Sequence, residues 1–251
     1  MPSWKDNVSF VLVEPRESAN VGSSARAVKN MGFRTLCLVR APEISDEARW
    51  LAHNSLDVLE AAKRYSSLTD AIDDKSFVVA VARRTGKRRG MVLPLDQGVQ
   101  KVYDIASDNK VALLFGREDR GLYNEEVNEC GLLLTIPADR EHPSLNLSHA
   151  VMVVAYELSR AQYRQDAVRH APLKPKRKHG SQASHGELAS LYERMTNIIT
   201  LLDYKPRGDR NLEKQIIDNL KHFIGRAGLT DWELKMLHGL CSQIERKLGS
   251  G

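Results

Sequence analysis

Three cysteines in 251 residues, Cys37, Cys130 and Cys241, are odd in number and far apart, and they form no CxxC pair. That pattern excludes a disulfide framework and suits small apolar thiols in a reduced, cytoplasmic setting. No stretch approaches 18 apolar residues, and the start, MPSWKDNVSF, has no apolar secretory core. Neither a membrane span nor export is therefore expected. Missing too are a GxxxxGKS/T loop and a GxGxxG turn after a strand, which argues against P-loop and dinucleotide-binding chemistry. Ser144 lacks the GxSxG context of a hydrolase elbow. The eight histidines are scattered. His142 and His149 flank Ser144 without a cysteine or clustered carboxylates nearby, so no metal is expected. No internal repeat is evident.

What remains is an ordinary core-forming composition, 42% hydrophobic and 27% charged, with room for one medium domain and an extension. Thirty-seven Lys and Arg against 32 Asp and Glu leave +5, a modest basic excess that suits a polyanionic partner without requiring one. Short apolar runs predict strands at Val8–Val13, Thr35–Val39, Phe77–Ala82, Val111–Phe115 and Leu132–Ile136. Between them, helical patterns fall at 20–31, 46–63, 68–73, 97–106 and 124–130, with Asn20 as a cap of the first and Gly32 as its end. A stripe of Leu147, Val151, Val154, Ala155 and Leu158 predicts a helix over Ser144–Arg164. Strands alternating with helices imply an α/β fold, a mostly parallel sheet with helices on both faces.

Past residue 164 the periodicity stops. Residues 165–184 form a basic linker containing Lys174-Pro-Lys176-Arg177-Lys178, and residues 185–251 carry three helical patterns. The last of these opens on the capping box Thr230-Asp-Trp-Glu233. The expected organisation is thus a catalytic-sized domain at 1–164, a linker, and a small helical C-terminal extension.

Three segments concentrate polar groups at predicted strand ends or helix starts, where open α/β sheets bind ligands. Asn20-Val-Gly-Ser-Ser-Ala-Arg26 reads either as a capped helix with a solvated Arg26 or as a place where Arg26 grips phosphate or polarises a hydroxyl. Gly116-Arg117-Glu118 is either a tight turn or a loop whose Gly116 and Gly121 let a ligand approach the backbone, with Glu118 facing a cation. Ser144-Leu145-Asn146 is at least a good helix cap. In that order, the three segments resemble the signature motifs of the SpoU branch of the SPOUT methyltransferases. The match is nearest the bacterial TrmJ family, tRNA 2′-O-methyltransferases, and covers 8–164. Its tail segment FIGRAGLTDWELKMLHGL (223–240) is also similar to that family's C-terminal helices.

The resemblance implies a trefoil-knotted fold, which sequence reasoning alone would reject because knots are so rare. It also implies a homodimer with the Ser144–Arg164 helix at its interface, and S-adenosylmethionine as cofactor. The cofactor would be held at Leu114, Phe115, Gly116, Arg117, Glu118, Gly121, Ile136, Pro137, Ser144, Leu145 and Asn146. Arg26 would be catalytic, with Asn20, Glu118, Ser144 and Asn146 orienting it, the ribose or the cofactor. The usual target would be nucleotide 32 of the tRNA anticodon loop, cytidine, uridine or both.

RNA needs cations. Arg83, Arg84, Lys87, Arg88 and Arg89 crowd one segment after a predicted strand and, with Arg26, are expected to contact phosphate. Lys176, Arg177 and Lys178 of the linker are a second set. Two rivals stay open: methylation of another tRNA or rRNA site, and a non-catalytic RNA-binding protein on the same fold.

Overall fold

The structure is a computed structural model that describes residues 3–82, 91–139, 141, 144–168, 182–202 and 212–248. Seven strands form one sheet: β1 (Val8–Val13), β2 (Thr35–Val39), β3 (Lys63–Tyr65), β4 (Phe77–Val81), β5 (Met91–Pro94), β6 (Val111–Phe115) and β7 (Leu132–Thr135). Their order is β3-β2-β1-β6-β4-β7-β5, and every pairing is parallel. The chain runs outward from β1 to β3 and then returns to fill the other side, so all strands end at the same edge.

β1, β2 and β6 match their predicted limits. The two strands not foreseen, β3 and β5, are the edges of the sheet. Each pairs on one side only, and short half-exposed runs such as KRY and MVLP lack the apolar density that marks a central strand. Pro94, at the end of β5, is tolerated at an edge because no strand beyond it needs its missing N–H. The expected helix over 46–63 is divided. Helices α2 (Asp46–Ala52) and α3 (Leu56–Glu60) are separated at His53, where φ is 49°, and β3 takes the remainder.

Alternation along the strands splits the core in two. Phe10, Leu12, Leu113, Phe115 and Val79 face one side, where α1 (Ser18–Asn30), α5 (Leu95–Ala106) and α7 (Leu147–Val168) pack. Val11, Val13, Leu114, Ala112 and Val78 face the other, with α4 (Leu68–Ile72) and α6 (Asn124–Asn128). Helix α1 ends as foreseen, at a left-handed Gly32 with φ 77°. Helix α7 starts and ends later than predicted. Trp4 Nε1, just ahead of β1, donates to Gln162 Oε1 near the far end of α7, so this helix spans the sheet from one strand edge to the other.

The tail consists of α8 (His185–Leu201), α9 (Leu212–Ala227) and α10 (Asp231–Leu248). Leu188, Leu191, Ile198, Ile224, Leu234 and Cys241 give it a core of its own. Thr230 and Glu233 form the predicted box: the Thr230 N–H and hydroxyl donate to Glu233 Oε2, and the Glu233 N–H donates to Thr230 Oγ1. The tail docks where strands begin. The His185 and Gly186 N–H groups donate to the carbonyls of Lys75 and Asp73, before β4. Glu129, before β7, accepts from Lys221 Nζ at 2.7 Å and pairs with His185 Nε2 at 2.9 Å. A Cβ on Gly131 would lie 2.0 Å from the Gly225 carbonyl oxygen, so this contact is backbone on backbone. All three cysteines are buried and free. Among the described residues no helix is long and apolar enough to cross a membrane.

Candidate functional site

A crevice of about 510 Å³ lies over the carboxyl ends of β4, β6 and β7, within the usual ~300–1,000 Å³ of small-molecule sites. Its floor is Val81, Phe115 and Ile136, one wall is the loop Gly116–Asn124, and the other is Ser144, Leu145, Leu147 and Ala150 at the start of α7. Of the residues expected to hold a cofactor, Phe115, Gly116, Arg117, Glu118, Gly121, Ile136, Ser144 and Leu145 line it. Leu114, Pro137 and Asn146 do not. Leu114 alternates to the opposite face of β6, where it is fully buried.

The three sequence motifs meet at the rim through side-chain amides. Asn20 lies inside α1, not at its cap, which is Glu17. Its Nδ2 donates to Glu118 Oε1 at 2.8 Å, and its Oδ1 accepts from Asn146 Nδ2 at 2.8 Å. Among the described residues Glu118 meets no cationic side chain. It accepts from the Arg16 N–H at 2.9 Å and the Glu17 N–H at 3.4 Å. Burial alone would raise its pKa, but these donors outweigh that and hold the carboxyl below its ordinary value. At the other end of the chain, Asn146 Oδ1 accepts from the Ser148 N–H and hydroxyl and from the His149 N–H. Asn146, not Ser144, therefore caps α7; Ser144 stands exposed on the crevice wall.

Arg26 does not converge with these groups. It is exposed on α1 and absent from the crevice lining. Six residues beyond Asn20 is about 120° around the helix and about 9 Å along it. Arg83, Arg84, Lys87, Arg88 and Arg89, and likewise Lys176, Arg177 and Lys178, lie outside the described residues.

The glycines serve the loop first. A Cβ on Gly116 would sit 2.1 Å from the Gly121 carbonyl carbon, and Gly121 itself has φ 68°. Gly116 is therefore required because the loop folds back on itself, and Gly121 because the turn is left-handed. Arg117 and Gly121 exchange backbone hydrogen bonds across this turn, at 3.2 and 2.8 Å.

Three residues unread in the sequence complete the loop: Glu14, Tyr123 and Glu126. Arg117 Nε donates to Glu14 Oε2 at 2.6 Å, and its two Nη groups donate to the carboxylate of Glu126 at 3.0 and 2.9 Å. The Tyr123 ring lies 3.9 Å from the guanidinium carbon. Burial opposes the charge on Arg117, but hydrogen bonds to Glu126 and Glu14 more than compensate and raise its pKa. The same bond to Arg117 lowers that of Glu14. A charged residue directly at the end of a buried strand, such as Glu14, was the available signal.

An all-parallel α/β sheet with a crevice among the loops at its strand ends defines a small-molecule-binding α/β domain. The chain belongs to the SpoU rRNA Methylase family, whose model matches residues 7–156. It is 30% identical to an uncharacterized tRNA/rRNA methyltransferase of Haemophilus influenzae, over 97% of this chain and 96% of that one. It is 33% identical to the tRNA (cytidine/uridine-2′-O-)-methyltransferase TrmJ of Sodalis glossinidius, over 95% and 91%. The crystal structure of TrmJ from Z. mobilis superposes with a TM-score of 0.78 at 25% identity, covering 94% of this chain and 98% of that one. The TrmJ resemblance read from the motifs thus extends through the tail.

Proposed function

We propose that this protein transfers a methyl group from S-adenosylmethionine to a ribose 2′-hydroxyl of tRNA, at nucleotide 32 of the anticodon loop, on cytidine, uridine or both. The observation that carries the reading is the Glu118–Asn20–Asn146 network, which unites three motifs 126 residues apart at the rim of one crevice. The crevice fits the cofactor in volume and in its mixture of loop backbone, apolar floor and polar rim. Phe115, Gly116, Gly121, Ile136 and Leu145 would hold it, with the loops near 113–117, 135–138 and 143–147 forming the family's trefoil knot.

When bound, the cofactor supplies a sulfonium-activated methyl and a neutral leaving group. The protein has two tasks: to align the hydroxyl oxygen and to lower the cost of its proton loss. Arg26 carries a permanent charge suited to a developing alkoxide or the adjacent phosphate, and is too weak an acid to serve as an ordinary base. Glu118, Asn20 and Asn146 fix the register of α1 against α7, and Ser144 faces the crevice. Single-stranded loops present 2′-hydroxyls and base edges that duplex hides, so an anticodon loop is a sensible target. Residues 83–89 and 174–179 supply phosphate contacts, while the tail at 185–251 extends the footprint beyond the 1–164 domain. A homodimer is built through α7, whose Tyr156 is exposed and whose Met152 and Val153 are half-buried. Free buried thiols suit a cytoplasmic location.

The deciding experiment incubates the protein with labelled cofactor and total tRNA, followed by nuclease mapping. Label on the ribose of nucleotide 32 is expected. Label at another tRNA position, or only on rRNA, replaces the target while keeping the chemistry. No label, together with no cofactor binding by calorimetry, makes this a non-catalytic RNA-binding protein.

A further inference from the structure

We infer that Arg117 is a positioning residue: it clamps the Gly116–Tyr123 loop into the shape that receives the cofactor and does not itself contact the ligand. The inference rests on the reading of the crevice as the cofactor site. Arg117 belongs to the loop that forms the crevice wall, yet its side chain is only 3% exposed. Four of the five N–H groups of a guanidinium are committed: one to Glu14, two to Glu126 and one to the Gly121 carbonyl at 3.4 Å. A side chain so occupied has little left to offer a ligand. What it joins is informative. Glu14 directly follows β1, Glu126 is in α6, and Gly121 closes the loop's turn, so one group ties the loop to the sheet edge and to a helix.

The clamp also accounts for two backbone oddities. Glu14 has φ 48° and Arg40, at the end of β2, has φ 46°, a left-handed conformation that non-glycine residues avoid. Glycine would relieve both, but could supply neither the carboxylate that Arg117 requires nor the guanidinium of Arg40 that pairs with that carboxylate. The four side chains Arg40, Glu14, Arg117 and Glu126 balance to zero formal charge, and the two that are buried, Arg117 and Glu126, pair directly with each other. Glu126 serves twice, because its carboxylate also accepts the Tyr123 N–H at 2.7 Å. Tyr123, whose ring rests on the guanidinium, is 42% exposed on the crevice side. Loop shape, ring orientation and the start of α6 thus depend on one ion group.

The test compares Arg117→Met, Arg117→Lys and Glu126→Gln with the unaltered full chain. Two measurements are made: hydrogen exchange of peptide 116–123 without ligand, and calorimetric affinity plus steady-state kinetics with S-adenosylmethionine and tRNA. Arg117→Met and Glu126→Gln are each expected to speed exchange in that peptide about tenfold or more, with sheet peptides unchanged. Both should raise the Kd and KM for the cofactor about tenfold, leaving the KM for tRNA and the saturated kcat near their original values. Arg117→Lys, which keeps charge but loses the fork, should recover part of the affinity. Glu126→Gln separates clamp from contact: it leaves Arg117 charged, so an unchanged cofactor Kd there, with a loss in Arg117→Met, overturns the inference in favour of direct binding. Unchanged exchange in a folded variant overturns the clamp outright. Faster exchange without any change in Kd overturns its link to the cofactor. If the unaltered protein binds no cofactor, the crevice reading fails, and exchange alone decides whether the clamp exists.

Discussion

The two ends of the parallel sheet are built on opposite plans. At the carboxyl ends of β4, β6 and β7 the chain opens into loops that enclose a crevice, and its ion group, Arg117 with Glu14 and Glu126, supports a wall from behind. At the amino ends of β4 and β7 the tail packs directly on the sheet: Glu129, His185 and Lys221 pair, and Gly131 meets Gly225. Both ends use a close glycine contact and an ion-paired carboxylate. One arrangement leaves space and the other removes it. Binding chemistry and tail docking are thereby separated by the length of the strands.

The largest expected effect belongs to Arg26→Ala, which should lower methyl transfer about a thousandfold, in line with loss of a group acting on developing charge. Cofactor affinity should be unchanged by calorimetry. Undiminished single-turnover rates would remove Arg26 from the mechanism.

Paired glycine substitutions then test whether the two ends are independent. Gly116→Ala forces the loop apart and should weaken cofactor binding by about five- to a hundredfold, given the ~1–3 kcal/mol typical of overpacking. Gly131→Ala forces β7 and α9 apart. It should make the tail susceptible to protease and leave cofactor affinity intact; a loss of affinity here would show that the ends communicate.

Charge neutralisation sharpens the same contrast on RNA. Replacing Arg88 and Arg89 with Ala should weaken tRNA binding several-fold and reduce its salt slope by roughly 2. Comparison with neutralised Lys176, Arg177 and Lys178 shows whether residues 83–89 or residues 174–179 carry more of the contact. Binding that keeps its full salt slope in both variants would refute the phosphate assignment.

The smallest effect concerns pH. Burial pushes Glu129 upward, but hydrogen bonds from His185 and Lys221 prevail and hold its pKa at about 2, against 4.5 for an ordinary glutamate. Because the folded value is the lower, this contribution to stability is complete above about pH 4.5 and lost as pH falls toward 2. Glu129→Gln should therefore lower Tm by ~5 °C near neutrality, with the gap closing through that acid window. A gap that persists at pH 2 would assign the effect to packing.

Much of the central sheet was readable, because β1, β2 and β6 are continuous apolar runs flanked by polar loops. The edges were not, since β3 and β5 draw their identity from neighbours. In the site, Asn20, Glu118 and Asn146 could be named from motif order, yet their mutual bonds could not: each residue also reads as a cap or turn. Arg117 shows the limit most clearly. As part of a cofactor loop it invites a ligand-contact reading, and only folding brings Glu14, 103 positions earlier in the chain, beneath it. The tail's helices were visible in their periodicity, but their docking surface depends on Lys75, Glu129 and Gly131, none of which carries a local signal.

The Glu118–Asn20–Asn146 chain has a single direction. One end is a carboxylate, which only accepts, and the other meets the N–H groups that open α7, which only donate. Each amide must therefore turn its nitrogen toward Glu118 and its oxygen toward the helix. An aspartate in place of either asparagine would set two acceptors face to face, so the carboxylate at one end and the helix N–H groups at the other together write the orientation of two side chains.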